Sequence, residues 1–245
     1  NSSKSELSIR GRELLIEYLQ KKDINFRQEG KIVVDNDLDK LENLYERSID
    51  LDMEGVKIVQ NEELLSIEPN SVMLNGLFVP QAGVVDYKEV VQAYAKDFVE
   101  MGGEIKYIEE IKQIENKNGL KSITGNKYKY NCEFLINCAG LFSDEIAKLD
   151  NMSPSVKIIP FRGEYYKISN TKNKILNNMI YPLADPDLPF LGIHLTKTAN
   201  GDIEAGPNAV LAFSKEGYKW TDINFVDLTK VLTFPGMLKL GKKYF

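Results

Sequence analysis

Apolar residues in the first third of the chain fall into short runs with two different periods. Leu14, Leu15, Tyr18 and Leu19 are spaced for one face of a helix after Gly11, and the polar residues 1–5 read as a loose lead into it. Residues 26–34 read as strand. Leu38, Leu41, Leu44, Tyr45 and Ile49 then trace the apolar stripe of a second helix, which Asn36 or Asp37 is suited to cap because a short polar side chain accepts from first-turn N–H groups. A short strand is expected at 57–59, followed by a short helix from Asn61 that Pro69 must stop.

Beyond Val85 the pattern changes. Val90, Val91, Tyr94, Phe98 and Met101 recur at helical spacing up to Gly102-Gly103, and a strand is expected at 104–107. Alternation through Ile114, a turn at Asn118-Gly119 and further strand around Ile123 predict a hairpin or meander. The unbroken apolar run Phe134-Leu135-Ile136-Asn137-Cys138 suits a strand covered on both faces, and Ser143 is placed to cap a helix carrying Ile146 and Leu149. Residues 85–150 therefore read as an α/β layer domain. Strand-like stretches at 161–168, 179–181, 191–195 and 203–205, separated by Pro, Gly and Asn, predict a mostly antiparallel sheet. The fold class expected is α/β, or α+β over the whole chain, with two domains interleaved rather than placed end to end.

Composition narrows the function classes. With 245 residues and 43% hydrophobic positions the chain can bury a sizeable core. Thirty-one Lys and Arg against 36 Asp and Glu give a net charge of -5, which argues against nucleic acid, because a polyanion needs a concentrated positive field. Cys132 and Cys138 make no disulfide framework, and no His lies near them to complete a metal site, so no metal is expected and a reducing, cytoplasmic compartment is. The longest nearly apolar run, residues 134–142, is far short of the ~20 residues that span a bilayer. No transmembrane segment is expected, and peripheral contact with a membrane stays open.

Three segments carry candidate chemistry. Asn137-Cys138-Ala139-Gly140-Leu141-Phe142-Ser143-Asp144 joins the apolar run to a helix, where small residues let a phosphate-bearing cofactor approach the backbone; an ordinary strand-to-helix turn reads the same way. Pro160-Phe161-Arg162-Gly163-Glu164-Tyr165-Tyr166 offers Arg162 as a fork for a carboxylate, with tyrosine hydroxyls beside it; pairing of Arg162 with Glu164 or another acid is the alternative. The stretch from Tyr181 to Thr196 contains His194, the one histidine of the chain, on a strand delivered by a proline-rich loop around Asp185 and Asp187. His194 is either a hydrogen-bonded core residue or a proton-transfer group. Nearby, Gly206-Pro207-Asn208 forms a tight turn with one amide side chain.

The second and third of these segments, taken in order with residues 204–211 and with Glu216-Gly217-Tyr218 through Trp220, resemble the L-2-hydroxyglutarate dehydrogenase/oxidase family within the larger D-amino-acid-oxidase-like flavoprotein group. Residues 137–144 match the broader group. The resemblance extends from Ser5-Glu6-Leu7 to Phe234-Pro235-Gly236-Met237.

The resemblance implies a Rossmann-like FAD-binding layer domain at 1–25 and 80–155, interleaved with an antiparallel-sheet substrate domain at 26–79 and 156–245. It implies oxidation of the 2-hydroxy acid L-2-hydroxyglutarate to 2-oxoglutarate by hydride transfer from C2–H to flavin N5, with FAD as cofactor; it does not fix the electron acceptor, which is oxygen, a quinone or another carrier. On that reading His194 is the base or a donor to the substrate oxygen, Arg162 binds a substrate carboxylate, and Tyr165, Tyr181 and Asn208 supply polar contacts. Ile111, Ala139 and Gly140 pass close to FAD through their backbones. The family's Gly-rich pyrophosphate turn is expected in a strand-turn-helix unit, yet the 17 glycines include no G-x-G, so the chain reads as a fragment lacking that unit. Residues 236–245, which resemble the entry to a helix that continues in the family, read as a truncated C-terminal end. Two other readings compete. One keeps the fold but takes an amino acid, an amine or glycerol 3-phosphate; the other is a non-catalytic remnant.

Overall fold

The computed structural model describes residues 2–168, 175–185, 187 and 190–244. Helix α1 (Ser3–Lys21) starts earlier than the periodicity suggests, because Ser2 caps it by accepting from the Ser5 N–H at 3.3 Å. Gly11 therefore lies inside the helix, and residues 3–5 belong to it rather than to a loose lead. The expected strand at 26–34 divides into β1 (Phe26–Arg27) and β2 (Lys31–Val34) at Gly30, whose φ of +83° turns the chain. Helix α2 (Leu38–Ile49) follows with Asp37 at its cap position, then β3 (Lys57–Gln60), α3 (Asn61–Ile67), β4 (Asn75–Val79) and β5 (Val84–Val85).

Helix α4 (Tyr87–Glu100) is capped by Asp86, which accepts from the Lys88 N–H, and ends with Gly102 N–H donating to Val99 O and Gly103 N–H to Phe98 O. These paired bonds, with Gly102 at φ +93°, terminate the helix where the sequence placed the two glycines. Val90 is buried, whereas Val91, Tyr94, Phe98 and Met101 of the same stripe are exposed.

Two compact units are interleaved along the chain: residues 1–103 with 163–209, and residues 104–162 with 210–245. Compactness thus divides the chain at 103/104, 162/163 and 209/210. The division by function expected at 25/26, 79/80 and 155/156 is a different one from this division by compactness, in which α1 and α4 fall in the sheet-bearing unit.

The first unit is built on a seven-stranded sheet that adds β10 (Tyr166–Ile168), β11 (Met179–Pro182), β12 (His194–Lys197) and β13 (Ile203–Gly206) in the order β10-β13-β12-β11-β2-β4-β3. Every pairing is antiparallel except β11 with β2. Ile32, Val34, Val59 and Leu64 form one core cluster of this sheet, and Val33, Leu41, Val56 and Leu77 form another, so successive residues of β2 supply alternate faces.

The second unit contains the meander β6 (Ile111–Lys117), β7 (Leu120–Gly125) and β8 (Lys129–Cys132), whose first turn uses Asn118 and Gly119 at φ +53° and +80°. It also contains α5 (Ser143–Leu149), the two-stranded ladder of β9 (Phe161–Arg162) with β14 (Val210–Leu211), α6 (Phe225–Leu232) and α7 (Pro235–Tyr244). Two expected strands are not formed. Residues 104–107 and 134–138 pair with no strand among the described residues, and Phe134 and Ile136 are 85% and 83% exposed. An apolar run becomes a strand only where neighbours satisfy its backbone groups. Ser143 does not act as a cap either: it is the first residue of α5, and a 3-10 turn at Gly140–Phe142 leads into it.

Candidate functional site

In the first unit, the face of the sheet that is apolar under α2 becomes polar and aromatic towards β12 and β13. Tyr181 stands beside Val33 of the parallel neighbour β2, and Ile180 is opposite Leu195 of β12. Tyr181 and His194, flanking that pair, project together. Their rings stack with centroids 4.1 Å apart and planes 13° from parallel. His194 is 9% exposed, and its Nδ1 lies 3.0 Å from Gly192 O. A carbonyl oxygen only accepts, so Nδ1 donates to Gly192 O, and in the neutral imidazole Nε2 is the nitrogen that holds the lone pair.

The Tyr181 hydroxyl lies 3.4 Å from Thr196 Oγ1, and the Lys31 ammonium sits over the Tyr181 ring at 5.3 Å from its centroid. Burial pushes the Lys31 ammonium below its usual pKa range. Gly206 is the register partner of His194, and a Cβ there would stand 2.6 Å from Tyr165 Cδ1; the missing side chain is what lets the Tyr165 ring lie against this strand. Burial pushes the Tyr165 phenol up, with Tyr181 and Glu204 adding to the effect. Tyr165, Tyr181 and His194, expected to act together, are thus brought to one neighbourhood of the sheet.

Two polar clips hold this arrangement. Glu68, at 1% exposure, accepts from the Asn178 N–H at 2.9 Å and from the Asn177 N–H at 2.9 Å, anchoring the chain just before β11. Asn208 is exposed, and its amide is engaged at both ends: Oδ1 accepts from the Glu164 N–H at 2.9 Å and Nδ2 donates to Glu164 Oε2 at 2.8 Å. Of the proline-rich loop before β12, Pro186 and Pro189 lie outside the described residues.

The remaining expected site residues belong to the second unit. Arg162 is 5% exposed, pairs with Val210 in the β9–β14 ladder, and lays its guanidinium over the Trp220 ring at 4.5 Å from the centroid. Trp220 is itself braced edge-on by Phe213, with centroids 5.8 Å apart. Ile111 begins β6 opposite Gly125 and is half-buried.

Ala139 and Gly140 form an exposed turn. Asn137 Oδ1 accepts from the Ala139 N–H at 3.2 Å while Asn137 Nδ2 donates to Ser143 O at 2.9 Å, and Gly140 adopts φ +53° with open space where a Cβ would point. Bare backbone with nothing over it fits the close approach of a dinucleotide such as FAD. Behind the turn, Lys215 is 7% exposed and donates to Leu141 O and Asp144 Oδ1, both at 2.8 Å, with Glu145 at 3.2 Å. Burial alone raises the Asp144 carboxyl, but the Lys215 hydrogen bond and charge outweigh it and hold the group below the usual carboxylate range. Burial likewise lowers Lys215, and its bonds to Asp144 and Glu145 outweigh that and hold it above the usual range.

Sequence reasoning missed Lys31, Glu68, Lys215 and the stacking role of Trp220. Lys31 sits at the start of an apolar strand and Glu68 just before a proline, signals that say only that each is near an element end. The partners of Lys215 are 70 or more positions away. No group of three or more His, Cys, Asp or Glu side chains placed to hold a metal occurs among the described residues.

Residues 1–233 match the family of FAD dependent oxidoreductases. The chain is 40% identical to the L-2-hydroxyglutarate dehydrogenase of Indibacter alkaliphilus, over 99% of its own length and 62% of the relative's. It is 35% identical to the mitochondrial L-2-hydroxyglutarate dehydrogenase of Homo sapiens, over 100% of its length and 56% of the relative's. The chain therefore spans about three fifths of the curated relatives it matches. Among solved structures, the FAD-bound L-alpha-glycerophosphate oxidase of Mycoplasma pneumoniae superimposes with a TM-score of 0.77 at 21% identity, covering 92% of this chain and 62% of that one. The L-proline dehydrogenase of P. horikoshii gives 0.71 at 20% identity, over 96% and 62%. At these identities the two structures bear on fold alone: the chain has the mixed α/β architecture of such flavoproteins.

Proposed function

The chain belongs to the family of FAD-dependent oxidoreductases, and from that premise we propose that it carries the substrate face, and part of the cofactor face, of an enzyme oxidising L-2-hydroxyglutarate to 2-oxoglutarate. Support for the substrate comes from relatives of that name at 35–40% identity over nearly the whole chain. The observation that carries the chemistry is the stacked Tyr181–His194 pair, in which a nearly buried imidazole spends Nδ1 on Gly192 O and leaves Nε2 for substrate.

FAD, when bound, supplies the acceptor for hydride from the substrate carbon. His194 takes the proton of the C2 hydroxyl at Nε2, with Gly192 O fixing the tautomer and Tyr181 fixing the ring plane. Tyr165 and Tyr181 offer hydroxyls beside it. Arg162, held over the Trp220 ring, is the fork for a carboxylate, and Asn208 shapes the 164–208 corner rather than offering a free amide. Ala139, Gly140 and Ile111 present backbone to the cofactor. We place the protein in a reducing, cytoplasmic compartment, where Cys132 and Cys138 stay free thiols. No helix among the described residues is long and apolar enough to cross a membrane.

The test is an absorbance spectrum after incubation with FAD and dialysis, followed by anaerobic addition of L-2-hydroxyglutarate. Retained flavin that bleaches with the L isomer and not the D isomer supports the reading. Flavin that bleaches only with an amino acid, an amine or glycerol 3-phosphate replaces the substrate, and a folded protein that retains no flavin rules out a working site in this chain.

A further inference from the structure

Lys31 has no ion pair or hydrogen bond from its ammonium to any described residue, although it is a half-buried cation. Its contact is the Tyr181 ring, which is in turn stacked on His194, so the three side chains form a row across one face of the sheet. Lys31 also lines a cleft of about 860 Å³ between α1 and the sheet. Arg12 lines the same cleft, and its buried Nε finds no hydrogen-bond partner among the described residues. The cleft's acids are Glu13, Asp52 and Glu54; all three are exposed, and Glu13 is already paired with Arg10. The cleft therefore holds two cations, and one of them, Lys31, is also the end of the row that runs through Tyr181 to His194. Buried charge of this kind is costly unless something neutralises it, and a carboxylate is the group that an ammonium and a guanidinium best share.

We propose that Lys31 is a substrate-binding residue that receives the carboxylate remote from the reacting carbon, so that this face of the sheet selects dicarboxylic 2-hydroxy acids over monocarboxylic ones. The proposal rests on the reading of the Tyr181–His194 face as the substrate face. It assigns to Lys31 what the reaction itself does not need, which is discrimination. The depressed ammonium of Lys31 agrees with it, because an incoming carboxylate would restore the charged form.

The experiment uses the purified chain with 13C-labelled lysine and two probes, glutarate and pentanoate, a diacid and a monoacid with the same number of carbons. The Lys31 ε-carbon resonance is assigned by its loss in Lys31→Arg, and its titration midpoint is followed with and without each probe. Glutarate should move the Lys31 midpoint upward and bind roughly tenfold or more tightly than pentanoate. Lys31→Arg should keep that preference and Lys31→Met should lose it. A folded wild-type chain whose Lys31 resonance ignores glutarate overturns the proposal without reference to any variant. Competition by L-2-hydroxyglutarate separates the two readings. Glutarate bound through Lys31 but not displaced by the hydroxy acid would sink the substrate assignment and leave the carboxylate site standing, whereas flavin bleaching by L-2-hydroxyglutarate with an unresponsive Lys31 would sink only the role of Lys31.

Discussion

The imidazole of His194 lies flat against the phenol ring of Tyr181, 4.1 Å between centroids and 13° from parallel, while its Nδ1 is held 3.0 Å from Gly192 O. Stacking sets the ring plane and the carbonyl sets the tautomer, so the free nitrogen points where neither contact is made. In flavin-loaded protein, His194→Gln should slow anaerobic flavin reduction by about 10²–10⁴-fold, the usual range for loss of a positioned base. Unchanged reduction kinetics would return His194 to the status of a packed core residue.

Tyr181→Leu removes the stack and the cation contact with Lys31. The expected loss of stability is about 0.5–1.5 kcal/mol beyond the area effect, read from urea unfolding, whereas Tyr181→Phe keeps both ring contacts and should cost less. Equal losses would show that the hydroxyl, not the ring plane, is what the sheet uses.

Glu68 accepts from two consecutive backbone N–H groups ahead of β11. Glu68→Ala strands the buried Asn178 N–H, which costs on the order of 1–3 kcal/mol, while the Asn177 N–H, on an exposed residue, is left to water. Because the same clip fixes where β11 begins, amide exchange should accelerate from Met179 onward. Exchange that changes only near Glu68 itself would contradict this.

Lys215→Met removes the cation from a buried pair and should destabilise the second unit by about 3–5 kcal/mol, since Asp144 is left charged and buried. The pH dependence has a definite sign. Asp144 and Glu145 are held below the carboxylate range, so their contribution is fully present above their unfolded pKa values, about 3.9 and 4.3, and is lost as pH falls through the lowered folded values. Lys215 is held above its usual value, so its contribution is present below an unfolded pKa of about 10.4 and is lost as pH rises through the raised one. Urea midpoints for wild type and Asp144→Asn should differ at pH 6 and converge towards pH 3. Parallel curves would remove the ion pair from the account.

Phe134 and Ile136 project into solvent from a segment that pairs with nothing among the described residues. Phe134→Ser should therefore change the unfolding free energy of this chain by less than about 0.5 kcal/mol, while lowering binding of a hydrophobic dye. A loss of several kcal/mol would mean that the segment is covered in solution.

Periodicity and turn chemistry carried most of the local structure. The stripe from Leu38 to Ile49, the stop before Pro69, the glycine pair after α4 and the Asn118-Gly119 turn are each decided by neighbours within a few residues, and each element forms there. The resemblance carried by residues 160–166 and 181–196 likewise pointed to the family that the whole chain matches. Pattern reading failed where an element depends on a remote partner. Residues 134–138 have strand composition, but a strand is a pairing and not a property of one segment. Ser143 has a capping side chain, yet the 3-10 turn ahead of it makes it the first helical residue.

The side chains gathered around His194 show the same boundary. Its suitability for proton transfer is a property of imidazole and can be read from one letter. That Nε2 is the free nitrogen, that Lys31 from 163 positions earlier shares its face, and that Gly206 clears room for Tyr165 are consequences of strand order and register, which long-range hydrogen bonding between segments selects. Local sequence sets which conformations a segment prefers. Which segments meet depends on the burial and hydrogen bonding that all of them achieve together, and no single stretch of the chain encodes that.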